Sequence, residues 1–418
     1  MKLRLLLLPV TVLWLGIAPA HAAPLRLDDA LRDAARQALS IQRQETEIAA
    51  RDAERIAADA LPDPKAVLGI ENLPVSGPDR FRTGADGMTM RKYGLMQEFP
   101  NAAKRSARRE AAEARQAQAR TAMAGVQAQV AGEAADAWLA LDSLRAQLTL
   151  LADLEAENRL WGAVMNAQLA SGKASAAEAL LPGQEALALA ARRDGLERDR
   201  RKAEARLTRL LGRPGPFEPD GDAPEYPVDP VRLREHLRHH PALAVYDPMT
   251  ALATAELHEA EAAQRPDWGV GLTWQQRGRA YDDMISMEVT VDLPLFPRQR
   301  QTPLITARRA ALAGLDSERR DAEREHAADL ESDLADYAAL DRQAQRLSEE
   351  AQPLARQRLG LLTAAYAAGR ADPAQLLAAR RELHELRLEA LATAGERRRL
   401  AARLHFQRDP QPREDTAP

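Results

Sequence analysis

No cysteine occurs among the 418 residues, which excludes disulfides, thiolate metal sites and a cysteine nucleophile. Aromatic residues make up only 4%, too few for the large side chains that fill most compact enzyme cores. A strong excess of charge is also missing: 58 Lys+Arg stand against 62 Asp+Glu, a formal −4. The chain therefore has no basic footprint for nucleic acid. Beyond residue 22 no apolar run approaches the ~20 residues that a membrane-spanning helix needs. There is no GxSxG, no phosphate loop and no HExxH metalloprotease motif. Acid–base pairs recur at i and i+4, the spacing of surface ion pairs. Nothing points to an enzyme or a cofactor.

The N-terminus carries Lys2 and Arg4, an apolar run from Leu3 to Ile17 and the small-x-small site Ala20-His21-Ala22. Residues 1–22 thus read as a cleaved export signal. Without cysteine, the exported chain is expected not to be a lipoprotein. Ala, Leu, Arg and Glu dominate the remainder, a mix that suits long helices. From Ala102 to Ala170 there is no proline, and Leu141, Leu144, Leu148, Leu151 and Leu154 recur at three and four. A helix of that length would run ~105 Å. A second long stretch, 304–367, spaces Leu340, Leu347, Leu354 and Leu361 at seven, which predicts a coiled-coil seam. Pro353 within it should kink or break the helix. Each stretch ends at a glycine, Gly172 or Gly369, so both ends read as tips of helical hairpins. The returning helices are 174–211, with a kink predicted at Pro182-Gly183, and 373–406.

Two short regions carry period two instead. Trp268, Val270, Leu272 and Trp274 alternate with small or polar residues, and so do Ile285, Met287, Val289 and Val291. Strict alternation suits a transmembrane β-hairpin, here about 267–294, with one face in lipid. A rougher counterpart spans about 65–99: Ala66, Leu68 and Ile70 alternate, but Arg91 and Lys92 interrupt. Trp268, Trp274, Tyr281, Tyr93 and Phe99 suit an interfacial aromatic belt. Four strands cannot close a barrel. An open edge in lipid leaves backbone groups unsatisfied, so several copies must share one barrel.

The same order appears twice: helix, β-hairpin, long helix, tip, returning helix. The first repeat covers 23–211 and the second 231–406. Between them lies 212–230, with six prolines, read as a linker without regular structure. Residues 407–418 read as a disordered polar tail. The fold class is mainly α with a small transmembrane β part.

Gln97-Glu98-Phe99-Pro100 leading into Lys104-Arg105, Tyr366-x-x-Gly369-Arg370, and Asp292-Leu293-Pro294-Leu295-Phe296-Pro297 followed by Arg300-Gln301 carry a resemblance. With the duplicated halves, they resemble the TolC family of outer-membrane efflux channels. The last run, with Pro266-Asp267-Trp268 and Gln275-Gln276-Arg277-Gly278, looks like the heavy-metal (CzcC-like) subgroup. The resemblance implies a homotrimer with a twelve-stranded barrel in outer-membrane lipid and a periplasmic tube of helical hairpins. It also implies a periplasmic adaptor protein, an inner-membrane RND-type pump, and passive passage of heavy-metal cations. A drug-efflux or type I secretion channel is the alternative within the family; a soluble periplasmic coiled-coil scaffold is the alternative outside it. Ala170, Ser171, Gly172, Lys173, Ala368, Gly369 and Arg370 become candidate adaptor contacts. Glu178 and Asp372 become candidates for an acidic constriction, although Gln375 departs from the acidic residue at Glu178's offset. His236, His239, His240 and His258, with Met88, Met90, Met96, Met284 and Met287, read as structural residues rather than a metal site.

Overall fold

The computed structural model describes residues 23–85, 87–237 and 240–408. The export signal at 1–22, His239 and the tail beyond Arg408 lie outside the described residues. The chain opens with β1 (Ala23–Leu25), α1 (Leu27–Gln37) and α2 (Leu39–Ala58), then β2 (Lys65–Glu71) and β3 (Met90–Phe99). Next come α3 (Ala102–Ala170), α4 (Ala176–Leu211) and β4 (Phe217–Pro219). The second half runs through α5 (Pro230–His236), α6 (Pro241–Ala244), α7 (Tyr246–Ala262), β5 (Trp268–Gln276) and β6 (Met284–Val291). It ends with α8 (Gln301–Gln345), a π-helical segment (Arg346–Ala351), α9 (Gln352–Ala367) and α10 (Pro373–Arg408). No described helix is long and apolar enough to cross a membrane.

These elements form two compact units, and neither coincides with a sequence repeat. One comprises residues 23–38, 130–227 and 336–403. Its core gathers Leu151 and Leu154 of α3, Leu189 and Leu196 of α4, and Leu388 of α10. Leu144 and Leu148 pack against that cluster, so the leucine ladder of α3 is the buried stripe of the helix. The proline-rich linker is not wholly irregular. Its β4 pairs in parallel with β1, and the buried Trp138 donates Nε1–H to Leu25 O at 2.7 Å. α4 runs on through Pro182, the position at which a kink is expected.

The leucine seam expected in the second long stretch is corrected past Leu347. Leu347 is buried, but Leu354 and Leu361 are 65% and 67% exposed. The π-helical segment inserts one extra residue, which turns the following face by about 100°. Burial accordingly passes to Ala355, eight residues after Leu347 rather than seven. Pro353, which cannot donate to the helical ladder, stands two residues past the segment, in the first turn of α9.

The second unit comprises 39–129, 228–335 and 404–408 among the described residues. Its helices approach through small side chains: Ala107, Ala111 and Ala114 of α3 and Ala255, Ala260 and Ala262 of α7 are buried. It also holds a four-stranded antiparallel sheet in the order β2-β3-β5-β6. The strands join their helices through a fixed corner. Asp267 Oδ1 accepts from Asn101 N at 2.7 Å, and Lys104 Nζ donates to Asp267 Oδ2 at 2.8 Å.

Candidate functional site

Both hairpin tips use the same local devices. Gly172 follows α3 at φ 71° and Gly369 follows α9 at φ 70°, a left-handed backbone that strains any residue with a Cβ. Around the first, Lys173 N donates to Gln168 O at 2.8 Å and Gly172 N to Leu169 O at 3.0 Å. Around the second, Arg370 N donates to Ala365 O at 2.8 Å and Gly369 N to Tyr366 O at 2.9 Å. This paired closure satisfies the last carbonyls of a helix. The basic residue after each glycine, Lys173 or Arg370, suits the negative end of the helix dipole.

Three residues past each glycine the returning helix is capped. Ser175 Oγ accepts from Glu178 N at 3.2 Å while Glu178 Oε2 accepts from Ser175 N at 2.6 Å, a capping box. The Ser175 backbone amide, and then its hydroxyl, hold the Glu178 carboxyl below the usual glutamate range. At the second tip Asp372 Oδ1 accepts from Ala374 N at 2.8 Å. Gln375 stands where Glu178 stands at the first tip, and glutamine is the other residue a capping box admits there. Ala170, Ser171, Lys173, Ala368, Arg370 and Asp372 are exposed, while Glu178 is half-buried against its cap.

The fold also ties one hairpin to the other. Tyr366 Oη donates to Gln168 Oε1 at 2.8 Å across 198 residues of sequence. The Trp161 ring lies 6.1 Å from that of Tyr366, and the Arg380 guanidinium sits 5.4 Å over Trp161. Arg380 also pairs with Glu157, and His384 Nε2 lies 3.2 Å from Glu157 Oε2. Burial pushes the His384 pKa below 6.5; Glu157 opposes this, while Arg380 and Arg387 add to it. Arg381 Nε donates at 2.7 Å to Glu185, a buried carboxylate of α4. Sequence reasoning missed these ties, whose partners lie on distant helices. The Ser175-x-x-Glu178 signature, by contrast, was there to be read.

The four-stranded sheet separates two chemistries. Register places Leu68, Tyr93, Trp274 and Ile285 in one row and Ala66, Leu95, Leu272 and Met287 in the next. Val270 pairs with Val289 and Trp268 with Val291 on the same face. This face is apolar yet open: Leu272, Ile285 and Met287 are 57%, 74% and 71% exposed. Phe99 stacks on Trp268 at 4.9 Å and Tyr93 approaches Trp274 at 5.7 Å. The opposite face carries Lys92 bound to Glu71 at 2.9 Å, Lys65 paired with Glu98, and Thr273, Gln275 and Glu288. The two breaks in the first hairpin's pattern thereby separate. Lys92 lies on the polar face, and Arg91 ends the apolar one.

The histidines do not converge. His258 Nδ1 lies 3.3 Å from Glu110, His236 Nδ1 contacts Arg232 O at 2.9 Å, and His240 meets the His326 ring at 4.5 Å. Among the described residues no three His, Asp or Glu side chains are grouped to hold a metal ion.

Solved structures share this fold. A membrane protein from Pseudomonas aeruginosa superposes with a TM-score of 0.80 at 17% identity, covering 92% of this chain and 90% of that one. The outer membrane protein VceC of Vibrio cholerae matches with a TM-score of 0.71 at 16% identity, over 91% and 95% of the two chains. The open state of the Neisseria gonorrhoeae MtrE outer membrane channel gives 0.74 at 17%, over 94% and 92%. No protein-family model and no curated protein matches the sequence. At these identities the likeness establishes the fold alone, one that this chain shares with VceC and the MtrE channel.

Proposed function

We propose that this chain is the outer-membrane channel of a tripartite efflux system, a passive conduit whose three copies close one twelve-stranded barrel. The observation that carries the reading is the sheet. One face is apolar and exposed, the other is polar, and the edge strands β2 and β6 have no neighbour among the described residues. In hydrocarbon each unsatisfied edge group costs several kcal/mol, and the smallest closed bacterial barrels hold about eight strands. Copies must therefore share. The fold of VceC and MtrE supports the same conclusion. Leu354 and Leu361 on α9, with Leu180 and Leu187 on α4, leave exposed apolar strips that neighbouring copies can cover.

In this reading the chain is exported by its signal, most of its mass stands in the periplasm, and an RND-type pump supplies the free energy. A periplasmic adaptor meets the tips at Ala170–Lys173 and Ala368–Arg370, and its contact loosens the ties between hairpins. Copies of Glu178 and Asp372 ring the mouth and favour cations. The cargo is heavy-metal cations, supported by the run Asp292 to Pro297 and the motifs around it. Purified in mild detergent, the full chain should form a trimer by cross-linking and conduct ions in planar bilayers. A monomer that leaves membranes in plain buffer would overturn the conduit. Loss of the gene should sensitise cells to zinc, cobalt or cadmium; unchanged metal tolerance with new drug sensitivity would move the cargo to drugs.

A further inference from the structure

We propose that the loop end of the sheet binds the phosphate groups of a phosphorylated glycolipid in the outer leaflet, through arginines that the fold leaves without a carboxylate. The inference rests on the outer-membrane reading above and adds a specific lipid to it.

Five arginines cluster where the strands turn: Arg80 and Arg82 in the β2–β3 loop, Arg91 at the start of β3, and Arg277 and Arg279 in the β5–β6 loop. Arginines elsewhere commonly pair with acids, as Arg193 does with Glu155 at 2.6 Å and Arg399 with Asp136 at 2.7 Å. None of these five forms an ion pair among the described residues, although Asp79, Asp282 and Asp283 lie in the same loops. Arg277 is spent on architecture, donating Nε–H to Asp282 O at 2.8 Å and Nη1–H to Gly87 O at 3.3 Å, and so joining the two loops. Arg80, Arg82, Arg91 and Arg279 remain exposed. Of Arg91's donors, Nη2 reaches Thr83 Oγ1 at 3.0 Å.

Placement gives the cluster its meaning. Arg91 pairs in register with Ile70 and Gln276, which puts it on the apolar face in line with Tyr93 and Leu95. A cation at the end of a lipid-facing row is costly unless it reaches the headgroup level and meets an anion there. The exposed Phe81 and Tyr281 of the two loops, with Arg80 4.7 Å over the Phe81 ring and Arg277 5.6 Å over the Tyr281 ring, suit that level. At the helix end of the same sheet Lys65 is matched by Glu98 and Lys104 by Asp267 at 2.8 Å, while Arg265, Arg298 and Arg300 there form no ion pair among the described residues. The loop end is set apart by Arg91, whose place on the apolar row brings a cation to the lipid. Planar guanidinium groups grip phosphate with two parallel hydrogen bonds. An acyl-chained phosphate also satisfies the apolar rows continuous with Arg91, which free phosphate cannot.

The test uses the full chain in phosphatidylcholine vesicles with and without diphosphoryl lipid A, and inorganic pyrophosphate as the soluble probe. Wild type should retain lipid A, and R80Q/R82Q/R91Q/R279Q should bind it about tenfold or more weakly with insertion unchanged. The pair R80Q/R82Q, confined to the loop, should show part of that loss, and R91K should bind lipid A more weakly than wild type but better than R91Q. Equal lipid A binding by wild type and the quadruple variant overturns the proposal, as does pyrophosphate binding as tightly as the lipid. Insertion into lipid A-free vesicles is read separately: its failure sinks the channel reading and the lipid site with it, whereas normal insertion without lipid A preference sinks the lipid site alone.

Discussion

His384 is enclosed by Glu157 of α3 and by Arg380 and Arg387 of its own helix, and burial is the largest influence on its titration. Because its folded pKa lies below 6.5, the unfolded chain binds the proton first as pH falls. Its contribution is therefore neutral above that value and destabilising as pH drops through it. We predict that the melting temperature falls between pH 7 and pH 5, and that His384→Gln flattens this slope. The tip glycines set a second expectation. Gly172→Ala or Gly369→Ala forces a Cβ into left-handed backbone and should cost about 1 kcal/mol, measured by denaturant unfolding. Removing Arg381 leaves the buried Glu185 without its partner, and Arg381→Met should cost about 2 kcal/mol by the same measurement.

Among the elements, the π-helical segment separates two readings of one helix. An unbroken heptad would make Leu354 a core residue, whereas the inserted residue puts Ala355 there. Ala355→Leu should overpack the core and cost about 1–3 kcal/mol. Leu354→Ser should leave helix content intact and weaken association between copies instead, read by circular dichroism and cross-linking. The strands allow a sharper contrast, because on the channel reading proposed above neighbouring residues face opposite media. Met287→Arg on the apolar face should cost about 2–4 kcal/mol and deplete the assembled protein in outer membranes. Glu288→Gln on the polar face should leave assembly unchanged. These strands were legible because Trp268 to Trp274 and Ile285 to Val291 repeat every second residue. β1 and β4 were not, since three residues carry no period and Trp138, distant in sequence, holds them.

For the whole molecule, on the channel reading proposed above, a conduit that opens at its tips must break what joins its hairpins. Tyr366→Phe deletes the bond to Gln168, and with Arg380→Gln the Trp161 stack goes too. Together they should raise single-channel conductance in planar bilayers while leaving the trimer intact. Unchanged conductance would remove these contacts from the gate.

Local patterns determined much of this protein directly. Uninterrupted Ala and Leu specify α3, glycine specifies the two turns, and alternation specifies the strands, because each depends on neighbours within a few residues. Tertiary packing alone decided the rest. It chose which leucines became core past Pro353, which distant side chains lock the hairpins together, and which arginines were left without an acid, since those outcomes depend on what another helix or strand brings alongside.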